Sequence, residues 1–128
     1  MVHEILKLSS VHSTVGYSHV AKAGNTLYIS GQVAKDIEGQ LAGKGDFETQ
    51  VRQVFTNLKN ILDETGGSMQ NIAKMTTFLT HYNYIETYRS VRDEFFQEPY
   101  PANTLLFVES LALPDFMVEI EAIAVLDE

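Results

Sequence analysis

Residues 102–128 read ANTLLFVESLALPDFMVEIEAIAVLDE, and this stretch decides the fold. It reads as two strands joined at Leu113-Pro114-Asp115. In the second, Met117 to Leu126, side chains alternate between the two sides of the strand. Val118, Ile120, Ala122 and Ala124 share one face, while Glu119, Glu121, Ile123 and Val125 share the other. The first set is a core stripe. The second begins with two carboxylates and then turns apolar, which a strand facing water has little reason to do. A neighbouring subunit, a ligand, or both are expected to cover that side.

Working back from this stretch, Tyr84 to Phe96 reads as a helix with Tyr84, Tyr88, Val91 and Phe95 as its buried ridge, ended by Pro99 and Pro101. Before it, Ile72 to Thr80 has the β-branched and aromatic content of a strand. The firmest element is the preceding helix. Asp46 stands at its N-cap; Phe47, Val51, Val54, Phe55, Leu58, Ile61 and Leu62 follow at helical spacing, and Gly66-Gly67 stops it. Lys35 to Gly45 is polar and glycine-bearing, and reads as a loop. His19 to Ala23 and Thr26 to Ser30 flank Gly24-Asn25 as a hairpin. Ile5 to Leu8 forms a short first strand. Gly31, in strand context, marks a bulge or a close backbone approach. The order β-β-β-α-β-α-β-β makes residues 1–128 one α+β domain, a two-layer sandwich with both helices on one face of a mixed sheet.

Composition bounds the function. With 45% hydrophobic and 20% charged residues the chain is an ordinary globular one. It has no cysteine, which removes thiol catalysis, disulfides and thiolate metal sites. The net charge is −8, and all nine Lys and Arg lie at or before Arg92, so the C-terminal part presents only acids. Such a surface repels nucleic acid, which is held by clustered cations. No apolar run approaches membrane-spanning length, and the opening residues lack a basic segment leading into an apolar one. The cytoplasm is the default location. His3, His12, His19 and His81 are scattered without metal-ligand spacing, and Gly43-Lys44-Gly45 follows no apolar strand, so it is no dinucleotide fingerprint. Ser30 has no histidine or acid at a spacing that would make it a nucleophile.

Gly16-Tyr17-Ser18, Tyr28-Ile29-Ser30-Gly31-Gln32, the Gln53-to-Gly66 helix and Val118-Glu119-Ile120-Glu121-Ala122-Ile123-Ala124 together resemble the Rid / YjgF (RutC-like) family of reactive intermediate deaminases over nearly the whole chain. The resemblance implies a homotrimer with the fold of the trimeric chorismate mutases and ligand clefts between subunits. It implies hydrolysis of small carboxylate-bearing imines and enamines to a 2-keto acid and ammonia, with no metal or organic cofactor. In that family an arginine clamps the substrate carboxylate, and a glutamate with a positioned water promotes attack on the C=N carbon.

Carried over by position, the glutamate is Glu119, and Tyr17, Ser30 and Gly31 are substrate-binding. The arginine that should follow Pro101-Ala102 is replaced by Asn103. A second-helix position usually held by asparagine is here Arg89, so the two residue types are exchanged. A guanidinium offers two parallel N–H bonds to a carboxylate, so Arg89 could restore the clamp from the helix side, with Asn103 adding an amide. Equally, Arg89 could pair with Asp93 one turn on and be a solvated helix residue. For Glu119 the plain reading is an exposed strand carboxylate like Glu121; the resemblance makes it the cleft acid. Two further readings stand beside the deaminase: a catalytically weak trimer that binds a metabolite or partner in the same cleft, and an endoribonuclease or translation inhibitor, against which the acidity counts.

Overall fold

The computed structural model describes residues 2–128, and they form one sheet with two helices. The strands are β1 (Glu4–Leu6), β2 (Val20–Ala23), β3 (Thr26–Gln32), β4 (Ile72–Leu79), β5 (Ala102–Phe107) and β6 (Val118–Val125); the helices are α1 (Phe47–Thr65) and α2 (Ile85–Phe95). The sheet order is β1-β2-β3-β6-β4-β5. The two strands read from residues 102–128 are therefore not neighbours. β6 lies at the centre between β3 and β4, antiparallel to both, and β5 lies outside β4 and parallel to it. This makes the sheet mixed.

The central strand behaves as its alternation requires. Val118, Ile120, Ala122 and Ala124 are buried against the helix layer, while Glu121, Ile123 and Val125 are exposed on the other face and Glu119 is half-buried there. Asp46 caps α1 through its side chain, which accepts from Thr49 N–H, and Gly66 ends it in the left-handed region at φ 92°. All seven apolar residues of the α1 stripe are buried. Helix α2 begins one residue later than its pattern suggests, because Tyr82–Tyr84 forms a tighter 3-10 turn ahead of it. Of its ridge, Tyr88 and Val91 are buried; Tyr84 is half-buried, stacked on Phe47 with ring centroids 4.4 Å apart, and Phe95 stacks on Phe55.

Two polar contacts fix the loops around this frame. Gln50, fully buried in α1, donates to the carbonyls of Gly43 and Asp115 and accepts from Met117 N–H. One side chain thus ties the 35–45 loop and the approach to β6 to the same helix. Glu64 accepts from Ser9 and Ser10 and anchors the segment leading to Tyr17. Its hydrogen bonds, with Ser10 foremost, hold its pKa down at about 2. No helix among the described residues is long and apolar enough to cross a membrane.

Replacing Gln50 by leucine adds apolar bulk but takes the side-chain partner from three part-buried backbone groups. Each unpartnered group costs about 1–3 kcal/mol, so a Gln50→Leu variant is expected to lose about 3 kcal/mol in urea unfolding. A variant as stable as the parent would show that these bonds are replaced by water.

Candidate active site

The site forms where β3 loses its regular pairing with β6. Ile29 pairs with Ala122 and Gln32 with Ile120, so Ser30 and Gly31 together stand opposite Glu121. This is a bulge, and it bends the strand. Glu119, one pairing step further along β6, folds its side chain over the bulge. A Cβ built on Gly31 would collide with the Glu119 carboxylate and lie only 2.8 Å from its Cδ. The glycine is required by this close approach, as its place in a strand suggests, since its φ is not in the left-handed region.

Around that carboxylate, Phe78 is its cross-strand partner on β4, and Tyr17 comes from the loop before β2. Burial raises the Glu119 pKa above the ordinary carboxylate value, and the like charge of Glu121 adds to the effect. The Tyr17 hydroxyl is raised as well, by burial first and by the Glu119 charge second. Tyr17 is still 49% exposed, so it forms a rim and not a floor. Ser30 is committed to structure: its hydroxyl donates to the Ser18 carbonyl and its N–H to the His19 carbonyl at 2.9 Å. Beside the bulge the open sheet face carries a hollow of about 560 Å³, lined among others by Ile5, Tyr28, Ser30, Lys74, Glu121 and Ile123. It adjoins the Glu119 position without including it.

The structure therefore brings Tyr17, Ser30, Gly31 and Glu119 together. It does not bring Arg89 or Asn103 to them. Asn103 pairs with Met75 on the helix side of the sheet; its Oδ1 accepts from Thr77 Oγ1 at 3.1 Å, and its amide donates to the Tyr88 hydroxyl at 3.4 Å. Arg89, the next residue after Tyr88, is exposed and pairs with Glu86 at 3.3 Å. Its expected partner Asp93 is engaged instead by Arg92 and Tyr100. Within one chain the sheet separates this second cluster from Glu119.

Three buried polar residues behind the bulge escape sequence reading. His12, His19 and Gln32 lie under Tyr17 and Ser30, with the two imidazoles edge to face at 4.8 Å. The sequence offers only Gln32 next to a suspected bulge as a clue; nothing in the spacing of two histidines seven residues apart places them in contact.

This is an α+β protein whose candidate site is a half-buried glutamate laid over a glycine bulge at the open face of a mixed sheet. A profile of the Ribonuc_L-PSP family, described as Endoribonuclease L-PSP, matches residues 8–126. The chain is 32% identical over 111 residues to a 2-iminobutanoate/2-iminopropanoate deaminase of Dermatophagoides farinae, covering 87% of this chain and 86% of the relative. Among solved structures, RidA from the Antarctic bacterium Psychrobacter sp. superposes with a TM-score of 0.88 at 34% identity, covering 96% of this chain and 99% of that one. E. coli TdcF with bound serine superposes with a TM-score of 0.88 at 31% identity, covering 97% and 99%. The chain belongs to the Endoribonuclease L-PSP family, the YjgF/RutC/Rid group, as the resemblance implies.

A carboxyl whose pKa rises on folding binds its proton more tightly in the native state, so ionising it costs stability. As pH climbs from the ordinary carboxylate value through the raised one, Glu119 subtracts from stability. A Glu119→Gln variant is accordingly expected to melt above the parent at pH 7.5 and level with it in acid below the ordinary carboxylate range. A variant that melts lower at pH 7.5 would mean that the charged form is stabilised in place.

Proposed function

We propose that this protein hydrolyses small reactive imines and enamines bearing a carboxylate, in clefts built between the copies of a homotrimer. The observation that carries the reading is Glu119: a carboxyl folded onto Gly31, beside the Tyr17 hydroxyl, with its pKa raised by burial and by Glu121. A carboxyl whose acid form is favoured in this way can hold a proton and pass it on. The deaminase activity in the name of the Dermatophagoides relative supports the reaction class. The serine in TdcF supports a ligand of amino-acid size.

The chemistry follows from the residues present. Protonated Glu119 gives its proton to the enamine β-carbon, leaving a C=N⁺ bond and a carboxylate. That carboxylate takes a proton from water as the water oxygen bonds to the imine carbon. Glu119 then gives that proton to the carbinolamine nitrogen and takes one back from its hydroxyl; the C–N bond breaks, ammonia leaves, and the carbonyl of a 2-keto acid remains. A bulge peptide at Gly31 and the Tyr17 hydroxyl are the groups in reach to orient the water and the substrate.

The charge that acts on Glu119 is Glu121, a like charge, and Lys74, the cation lining the adjoining hollow, is engaged by the Met75 carbonyl and Thr104. Arg89 and Asn103 lie behind the sheet, so only a second copy could present them to Glu119. The exposed apolar residues Tyr28, Ile123 and Val125 on the open face support association through that side. Arg89 is held only by an exposed pair with Glu86, a bond of little worth, so its guanidinium is free to turn to a ligand. A binding-only trimer is the second reading, and the Glu86–Arg89 pair favours it if it persists when the copies assemble.

A shared cleft has a direct test. Glu119→Gln and Arg89→Ala proteins should each release keto acid from freshly generated 2-aminoacrylate or 2-iminopropionate at least about tenfold more slowly than the parent. Unfolded and refolded together, they should recover part of the activity, because mixed trimers contain clefts with both groups intact. No recovery on mixing would place both residues in one chain's cleft or remove Arg89 from the site. No turnover by the parent would leave the binding-only trimer.

A further inference from the structure

We propose that His19 and Gln32 are a positioning couple for the cleft: with His19 neutral they hold the Ser30–Gly31 bulge against Glu119, and a proton on His19 releases it. Neither residue touches the reacting atoms in the chemistry above. Both are buried, at 6% and 1% exposure, and both are wired to the bulge.

The hydrogen-bond directions leave a single arrangement. Gln32 Nε2 lies 3.1 Å from the Ser30 carbonyl, which can only accept, so the amide nitrogen and not the oxygen must face it. The same Nε2 lies 3.0 Å from His19 Nδ1. Since Gln32 donates there, His19 Nδ1 must be the bare, accepting nitrogen. The ring proton is then on Nε2, which donates to the His12 carbonyl at 2.8 Å. His19 is thus read as the neutral Nε2–H form by its neighbours on both sides. Its own carbonyl accepts Ser30 N–H, and the adjacent Ser18 carbonyl accepts Ser30 Oγ–H. The segment that follows Tyr17 is clamped to the bulge that carries Glu119.

A proton at His19 Nδ1 turns that acceptor into a donor facing a donor. The local remedy is rotation of the Gln32 amide, which offers Oε1 to the new N–H. Oε1 has no partner among the described residues in the resting arrangement, and the rotation gives it one. It also sets Oε1 against the Ser30 carbonyl, and that oxygen loses its only amide partner from Gln32. Accommodating the charge by this rotation breaks the Gln32–Ser30 bond beside Gly31. The couple is held only while the imidazole is uncharged.

The titratable groups near His19 are His12, whose ring stands edge to face with it, and Tyr17, at 6.2 Å between rings. Lys35 and Asp36 act on His12 from the 35–45 loop, and Glu119 acts on Tyr17 from β6. Burial first, then His19 and Lys35, lower the His12 pKa, while Asp36 raises it.

Nitrogen-15 NMR of the full chain between pH 8 and 5 reads the couple without any assumption about the reaction. The Ser30 and Gly31 amide resonances should move with the midpoint of the His19 ring protons. In His19→Gln, which keeps a donor and an acceptor but does not titrate, that movement should vanish. In Gln32→Met, His19 should still titrate while Ser30 and Gly31 no longer follow it, which keeps the test open should His19→Gln fail to fold. The proposal is overturned if His19 stays uncharged across the range, or if Ser30 and Gly31 do not track it. It is equally overturned if their movement survives in His19→Gln and disappears in Glu119→Gln. Where the parent releases keto acid, the rate should fall about tenfold per pH unit below the His19 midpoint and lose that limb in His19→Gln. Absence of any turnover counts against the reaction alone, and the NMR result still decides the couple.

Discussion

The structure depends on one steric fact: a glutamate side chain occupies the volume where any residue but glycine at position 31 would have a Cβ. Close packing allows no second use of that space. The bulge at Ser30–Gly31 bends β3 enough for the carboxylate to lie across it, and burial there raises the carboxyl pKa. An ordinary β residue at 31 would push the acid outward into water and return it to an ordinary pKa. The half-buried place of Glu119 thus depends on a missing methyl group in a strand.

The rest of the fold holds that contact still. β6 carries Glu119 and is the central strand, paired on both sides and buried on its other face by α1. Gln50 fixes the chain just before it, and Glu64 fixes the segment leading to Tyr17. These polar groups serve position more than stability, since a buried hydrogen bond adds little net energy but costs a great deal when one partner is missing. The His19–Gln32 couple belongs to the same set of contacts.

The sheet has two unlike faces. On the helix side the core is continuous; on the open side acids give way to apolar residues that water serves poorly. Arg89 and Asn103 sit on the covered side and Glu119 on the open one. The guanidinium of Arg89 sits on a helix and the amide of Asn103 on a strand, both on that covered side.

Much of this was legible in residue order, because local rules act at short range. The β6 alternation, the α1 stripe with its Asp46 and Gly66 ends, the hairpin at Gly24-Asn25 and the close approach at Gly31 all follow from periodicity and backbone stereochemistry. The strand-Ser-Gly-Gln and VEIEAIA signatures carried the family. Long-range pairing was not legible: β5 and β6 are sequential yet separated by β4, and Arg89 turned to Glu86 instead of Asp93 because Asp93 is shared by Arg92 and Tyr100. Nor was the meeting of His12, His19 and Gln32. The sequence by itself determined which face each side chain takes along its own element. Only the tertiary structure decided what stands across from it, since that depends on strand order and on a bulge that shifts register by one residue.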